Sequence, residues 1–230
     1  MNNLLQRQDI AVYFCLVFGW MLLLGAFVKL FSKNFYTLHV FVRKFSILDL
    51  EFPDSSLELT TYIRGIFLLP KELSTRSLRS LKTYLYLDFL FIPLAYGSLF
   101  LLCLLISNNF TFLGHYIFLI LAWLQLIPLI CDAGKNFYLL KKIRSDAQVS
   151  QEVTHKAYLA LERIKWLVAL VAAVFSLSAL FYFWVTGKYS VSSFRFIIIV
   201  LIEIAVFFIL RKLFAKGSKI DLDKYQNIGN

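Results

Sequence analysis

Charged residues are scarce in this chain of 230 amino acids. Asp, Glu, Lys and Arg together make up only 17% of it, whereas 60% of the residues are hydrophobic and the mean hydropathy is +0.72. Soluble domains carry about 25% charged and about 45–50% apolar residues. The shortage of charge therefore excludes an ordinary soluble domain.

Cysteines and recognisable catalytic motifs are also few. The three cysteines, Cys15, Cys103 and Cys131, all fall inside apolar runs, so no disulfide framework or cysteine metal site follows from them. The sequence contains no P-loop, nucleophile elbow, HExxH or dinucleotide-binding fingerprint, and its glycines are scattered. We therefore predict no cofactor and no metal. The sequence favours a protein that is not an enzyme and leaves that question open.

Long uncharged runs, by contrast, are abundant. A helix needs about 20 largely apolar residues to cross the roughly 30 Å hydrocarbon core of a bilayer, where its backbone must bond to itself. Five runs meet this requirement and predict transmembrane helices at about 10–30, 84–106, 112–134, 164–186 and 192–212. The predicted fold class is an all-α polytopic membrane protein. We expect the first run to be a retained anchor rather than a cleaved signal peptide, because Lys29 and Lys33 follow its apolar part.

Lys and Arg are distributed very unevenly between the two sides of this arrangement. All of the 24 except Arg7, Lys188 and Arg195 lie in the segments 29–83, 135–165 and 211–230. Short cytoplasmic segments hold the positive charge, which predicts an outside N-terminus and a cytoplasmic C-terminus. This asymmetry also accounts for the net charge of +10 without a nucleic-acid partner. Basic residues predicted to contact anionic lipid headgroups are Lys71, Arg76, Arg79, Lys82, Lys141, Lys142, Arg211 and Lys212.

The segment 33–83 is predicted to be a cytoplasmic loop at the membrane interface that contains an amphipathic helix. Ser55 and Glu58 have the spacing of a capping box. Apolar residues then repeat with a helical period before Pro70, namely Leu59, Tyr62, Ile63, Ile66 and Phe67. We expect this helix to rest on the inner membrane surface with its apolar face in the lipid; a groove on a partner is the alternative. The apolar run 35–42 either extends the first helix or lies on the membrane.

The segment 135–163 is predicted to form a cytoplasmic helical hairpin. Ser145 and Gln148 again have capping-box spacing. An apolar stripe follows and leads into the fourth span; its members are Val153, Ala157, Ala160, Leu161 and Ile164. We expect this hairpin to pack on itself, and docking on a neighbouring subunit is the alternative.

Two acidic residues lie at the ends of the second and third predicted spans. Asp88 and Asp132 are equally far along the chain from Phe110, at the apex of the turn between these spans, so both are expected at one depth near the inner surface. Pro93 and Pro128 lie about a turn above them and predict two helix kinks. Asn136, Lys135 and, from the fourth span, Lys165 lie within reach. The acids therefore form either a cation or proton site or an ion-pair latch between helices, in which they pair with Lys82, Lys135 or Lys165.

Glu203 interrupts the fifth predicted span near its middle. An ionisable group at that depth needs a partner or a purpose. Counted from the outer turn near Tyr189, Ser176 lies level with it, and Gln125 lies at mid-depth in the third span. Either side chain could hold a protonated Glu203 by a hydrogen bond.

The second and third spans together contain a recognisable combination of Asp, Pro, Tyr and Asn residues. The chain reads Leu87-Asp88-Phe89-Leu90-Phe91-Ile92-Pro93, then Tyr96-Gly97, and later Asp132-Ala133-Gly134-Lys135-Asn136. This resembles a pattern of uncharacterised bacterial multi-pass inner-membrane proteins, in which an LDxxFIPxxYG helix precedes a helix ending in DxxEN. The resemblance covers residues 84–142, with a weaker extension over 45–52, and Lys135 stands where that family has an acid. It implies the bacterial cytoplasmic membrane and no particular activity.

These observations lead to hypotheses from different functional classes. The first is a non-enzymatic binding or accessory subunit of a membrane complex that engages anionic lipid or partner helices, as a homo-oligomer or with other membrane subunits. The second is a small oligomeric proton- or cation-coupled transporter or channel that uses Glu203, Asp88 and Asp132. A third is a lipid enzyme in which Asp88 and Asp132 share a divalent ion.

Overall fold

A computed structural model describes residues 2–39, 41–144, 146–188 and 193–215. Ser145 and the outer turn at Tyr189 lie outside these residues. Within them the chain is overwhelmingly helical, as predicted. The elements in chain order are α1 Asn2–Phe31, a short 3-10 helix Ser32–Asn34, β1 Tyr36–Leu38, β2 Val42–Lys44, α2 Ile47–Glu51, α3 Ser56–Leu68, α4 Lys71–Ser107, α5 Phe112–Leu124, α6 Leu126–Lys142, α7 Glu152–Val185 and α8 Phe194–Ala215.

Four helical segments are long and apolar enough to cross a membrane. They are Asp9–Asn34, Lys71–Ser107, Phe112–Lys142 and Glu152–Val185. Each covers one of the predicted spans to within one residue, so the membrane character expected from hydropathy is present in the fold. The fifth predicted span also forms a helix, α8, which is not among these four segments and which contains Arg195, Glu203, Arg211 and Lys212.

Two prolines act differently in the second and third spans. Pro93 lies inside α4, which continues from Lys71 to Ser107 without a break. Pro128 lies in the first turn of α6, and the helix is interrupted between Leu124 and Leu126. Proline has no N–H to donate to the carbonyl four residues earlier, which here is that of Leu124. The predicted kink at Pro128 is therefore a break between α5 and α6.

The run 35–42 does not extend α1. It turns back on itself as a β-hairpin in which Tyr36 pairs with Lys44 and Leu38 pairs with Val42, antiparallel. Tyr36 and Val42 are buried on one side of this hairpin. The alternating pattern of the run is thus a strand signal, and the expectation that it extends the first helix is wrong.

The amphipathic helix begins where the sequence predicts, but its apolar face packs elsewhere. The Ser55 side chain accepts from the Glu58 amide at 3.1 Å, while the Glu58 carboxylate accepts from Asp54 rather than completing the capping box. The expectation that α3 rests in lipid is wrong, because its apolar residues enter a protein core. That core includes Leu59, Ile63 and Ile66 of α3, Leu81 and Leu85 of α4, and Leu139 of α6.

α4 packs against α3 through residues that precede the apolar part of α4. It begins at Lys71, directly after Pro70, so its first turns are polar and precede the predicted span at 84–106. Leu73, Leu81 and Leu85 on its inner side are buried. The loop predicted over 33–83 therefore ends at Pro70, and its last part is helix.

In the first half of α7, the buried face is the one opposite to the predicted apolar stripe. The helix begins at Glu152, with no side-chain cap at Gln151. The predicted apolar stripe is exposed: Val153 is 78%, Leu161 is 42% and Ile164 is 44% accessible. The buried face carries His155, Tyr158, Glu162 and Lys165 instead. The polar face of α7 is the one that packs inside the protein.

Candidate functional site

Seven polar side chains from four helices meet in one place, where the apolar parts of α4 and α7 begin. We name this the ionic cluster. Every member is at most 9% exposed. The cluster consists of Glu51 from α2, Asp88 from α4, Asp132, Lys135 and Asn136 from α6, and Glu162 and Lys165 from α7.

Helical spacing places most of these groups. Asp132, Lys135 and Asn136 follow one another at i, i+3 and i+4 and therefore share one face of α6. Glu162 and Lys165 are three residues apart on the buried face of α7. Glu51 is brought in by α2, whose start is fixed by a capping box between Ser46 and Asp49.

Lys135 is at the centre of the ionic cluster. Its Nζ lies 2.6 Å from Asp132 Oδ1, 2.7 Å from Glu51 Oε1 and 3.9 Å from Asp88 Oδ2. Its side chain is only 3% exposed. One ammonium thus joins carboxylates from α2, α4 and α6.

Lys165 makes the corresponding connection from α7. Its Nζ donates to Asp132 Oδ1 at 3.0 Å and lies 2.7 Å from Glu162 Oε2 and 3.8 Å from Glu51 Oε1. Asp132 is therefore shared by two lysines. Buried charges are tolerated when they are paired in this way.

Neutral donors complete the carboxylate contacts. The Asn136 amide donates to Asp88 Oδ2 at 2.8 Å, and the Tyr96 hydroxyl donates to Asp132 Oδ2 at 3.1 Å. The Tyr158 hydroxyl donates to the Leu50 carbonyl at 2.8 Å and so ties the end of α2 to α7. Both acids predicted at one depth are thus held by groups of the same chain.

The ionic cluster has four carboxylates but two lysines. Two buried acceptor atoms, Asn136 Oδ1 and Glu162 Oε2, have no hydrogen-bond partner, although the latter lies close to the Lys165 ammonium. No group of three or more His, Cys, Asp or Glu side chains suited to a metal ion occurs in the part of the chain that the structure describes. The ammonium of Lys135 lies near both Asp88 and Asp132, where the lipid-enzyme hypothesis requires a divalent ion.

Glu203 is not part of the ionic cluster, and its predicted partners do not reach it. The Ser176 hydroxyl lies 3.5 Å from Cys103 Sγ, and the Gln125 amide donates to the Leu121 carbonyl. Glu203 instead packs across α1, where its Oε1 would be 2.5 Å from a Cβ added to Gly19. Its Oε2 is buried without a hydrogen-bond partner. The predicted pairing with Ser176 or Gln125 is therefore wrong.

Sequence reasoning missed two members of the ionic cluster. Glu51 lies in a short helix of the polar segment, and nothing in its local sequence indicates the contact with Lys135. Glu162 could have been found, because Tyr158, Glu162 and Lys165 share one face of α7 at helical spacing. The apolar stripe on the opposite face has the same helical spacing and is the one that predicts a buried face.

The predicted headgroup residues fall into two groups. Lys142 is engaged by the fold, since its Nζ donates to the Gln148 carbonyl at 2.7 Å. The others are exposed: Lys71, Arg76, Arg79, Lys82, Lys141, Arg211 and Lys212. Three of these, Lys71, Arg76 and Arg79, line a cavity of about 920 Å³ between the end of α1 and the start of α4.

Comparison with known proteins gives no relationship on which to build. No family model matches the chain, and no curated protein or solved structure matches it.

Proposed function

We propose that this protein is a five-span component of the bacterial cytoplasmic membrane that acts as a non-enzymatic binding or accessory subunit. Its N-terminus lies outside and its C-terminus in the cytoplasm. The ionic cluster is a latch that holds the inner ends of the helices, and the exposed basic residues around it engage anionic lipid headgroups. Neighbouring helices, from a second copy or another membrane subunit, pack on the apolar faces.

This proposal is supported by the contrast between buried, paired carboxylates and exposed basic residues. The four carboxylates of the ionic cluster are buried and held by Lys135 and Lys165, whereas most basic residues predicted at headgroup level stay exposed. Groups that bind an ion in transit need free ligands, and in the ionic cluster the protein's own lysines occupy the carboxylates. Exposed Lys and Arg at the inner surface each gain about 1 kcal/mol from anionic lipid.

The proposed topology makes α8 the fifth span. Its 22 residues are enough for one crossing, and Arg211 and Lys212 then join the other basic residues inside. Glu203 faces α1 rather than lipid, which lowers the cost of an acid at that depth.

We expect the purified protein to retain anionic lipid and to have its termini on opposite sides. Native mass spectrometry in mild detergent should show phosphatidylglycerol retained in preference to phosphatidylcholine, and high salt should weaken the preference because exposed charges are screened. Reporter fusions should place the N-terminus outside and the C-terminus inside. Both termini in one compartment, or a lone monomer of 26.8 kDa that retains no anionic lipid, would contradict the proposal.

A second candidate function, proton- or cation-coupled transport, rests on Glu203. Its buried Oε2 has no hydrogen-bond partner, and a carboxyl group in that state is a potential proton carrier. If this function is correct, Glu203→Gln should abolish a pH-dependent flux in proteoliposomes. Glu152→Gln, whose side chain is 77% exposed, is the control and should leave the flux intact. Equal flux in the wild type and Glu203→Gln removes this candidate.

A further inference from the structure

The cavity between α1 and α4 has the size and position of a ligand site. Its volume of about 920 Å³ lies within the usual range of about 300–1,000 Å³ for small-molecule pockets. One wall is formed by Leu30, Phe31, Lys33 and Asn34 at the end of α1, and the other by residues from Lys71 to Ser80 of α4. We call it the basic groove.

The charge in the basic groove is strongly one-sided. Lys33, Lys71, Arg76 and Arg79 line it, and Glu72 is the single acid among its lining residues. Among the residues that the structure describes, these four basic side chains form no ion pair. Lys71, Arg76 and Arg79 are also exposed, so these three are available to an anion.

Lys33 gives the most direct indication that the basic groove suits an anion. Its Nζ is buried and has no hydrogen-bond partner. A buried donor without a partner is costly, and more so when it is charged. An anionic oxygen in the basic groove would satisfy this ammonium.

The first turn of α4 adds a second source of positive potential. Its N-cap is Pro70, which offers no side-chain hydrogen bond to the first amides of the helix. Lys71 and Glu72 of this turn line the basic groove. Free amide groups and the helix dipole favour phosphate at such a position.

The α1 wall also carries apolar side chains, and it continues into a helix that is apolar enough to span a membrane. Leu30 and Phe31 are the last residues of α1 before the 3-10 turn. The Ser77 hydroxyl donates to the Asn34 carbonyl at 2.9 Å and holds that turn against α4. A ligand here meets cations at one end and the apolar flank of α1 at the other.

We propose that the basic groove binds one anionic glycerophospholipid, with its phosphate at Lys33, Arg76 and Arg79 and its acyl chains along Leu30 and Phe31. Arg binds phosphate through two parallel hydrogen bonds, and the excess of basic over acidic residues favours a headgroup whose phosphate is not offset by an amine. The proposal rests on the proposed function, which places this end of α1 and α4 at the inner membrane surface.

The test compares variants of the whole protein, delipidated in mild detergent, by titration in native mass spectrometry. The probes are phosphatidylglycerol, phosphatidylcholine and inorganic phosphate. The groove variant is Lys33→Gln with Arg76→Gln, and the control is Arg144→Gln with Arg163→Gln. Arg144 and Arg163 are exposed and lie outside the set of predicted headgroup residues, so the control removes the same charge from the same predicted side of the membrane.

We expect the groove variant to bind phosphatidylglycerol at least tenfold more weakly than the wild type, and the control to change less than twofold. A second variant, Thr75→Glu, adds a negative charge to the lining without removing a basic residue and should weaken the same binding. None of the three variants should melt below the wild type in detergent, because none removes an ion pair of the described fold.

The outcomes separate this proposal from the proposed function. If the wild type, the groove variant and the control all bind phosphatidylglycerol equally well, the basic groove is not the binding site, and the proposed function still stands. Wild-type protein that binds no anionic lipid would overturn both. Two results would overturn the choice of an anionic lipid. One is that phosphatidylcholine occupies the protein as fully as phosphatidylglycerol does. The other is that inorganic phosphate saturates the site while no lipid binds to it.

Discussion

Lys135→Ala is expected to lower the free energy of unfolding by about 3–5 kcal/mol, the usual cost of removing one partner from a buried ion pair. The Lys135 ammonium lies within 2.7 Å of both Glu51 and Asp132. Its loss would leave Lys165 as the one cation for four buried carboxylates. The contacts between α2, α4 and α6 would weaken together.

Thermal unfolding in detergent, followed by tryptophan fluorescence, measures this loss. Lys156→Ala is the matched control, because Lys156 pairs with Glu152 at 2.7 Å but its side chain is 73% exposed. That pair should contribute at most about 1 kcal/mol. Equal melting temperatures for the two variants would show that the ionic cluster does not act as a latch.

A double variant tests whether Lys135 acts through Asp132. With Asp132→Ala present, Lys135→Ala should cost less than it does alone, because one of the stranded charges is gone. Additive losses in this cycle would contradict the direct pairing of the two side chains.

Gly65→Ala is expected to destabilise the protein by about 3 kcal/mol, the upper end of the cost of overpacking. A Cβ at this position would collide with Thr37 Oγ1 and would lie 2.5 Å from the Leu38 carbonyl oxygen. The Thr37 hydroxyl also donates to the Tyr62 carbonyl at 3.0 Å and would be displaced. The gain of about 1 kcal/mol in helix propensity does not offset this, because a backbone carbonyl cannot rotate away.

Gly134→Ala is the control for this prediction. Gly134 also lies inside a helix, α6, but a Cβ there meets nothing within 4 Å. Its replacement should therefore stabilise the protein by about 0.5–1 kcal/mol through helix propensity alone. The opposite signs at the two glycines should appear in the same melting experiment; a stable Gly65→Ala protein would contradict the packing of the β-hairpin on α3.

Part of the candidate site could be predicted from local sequence. Counting along the helices placed Asp88 and Asp132 at one level, and both occur in the ionic cluster together with Asn136. Such counting works because the rise of a helix is constant. The same counting paired Glu203 with Ser176, which is wrong, since equal depth does not say which helices are neighbours.

The failures share one physical cause. The exposed stripe of α7 and the buried face of α3 are both apolar and periodic, and the sequence pattern is the same for a face that meets lipid and a face that meets protein. An apolar face is stable against lipid as well as against protein. In a membrane protein, therefore, periodicity predicts that a face is apolar but not whether it contacts lipid or another helix.

Length and apolar runs were thus enough to determine a predominantly helical chain with segments able to cross a membrane, because these properties depend on the bilayer and the backbone alone. Tertiary structure decided which helices touch, and with it the contact of Glu51 with Lys135, the orphan ammonium of Lys33 and the place of Glu203 against Gly19. Those contacts join residues that are distant in the chain, and a local sequence pattern does not determine which helices pack against each other.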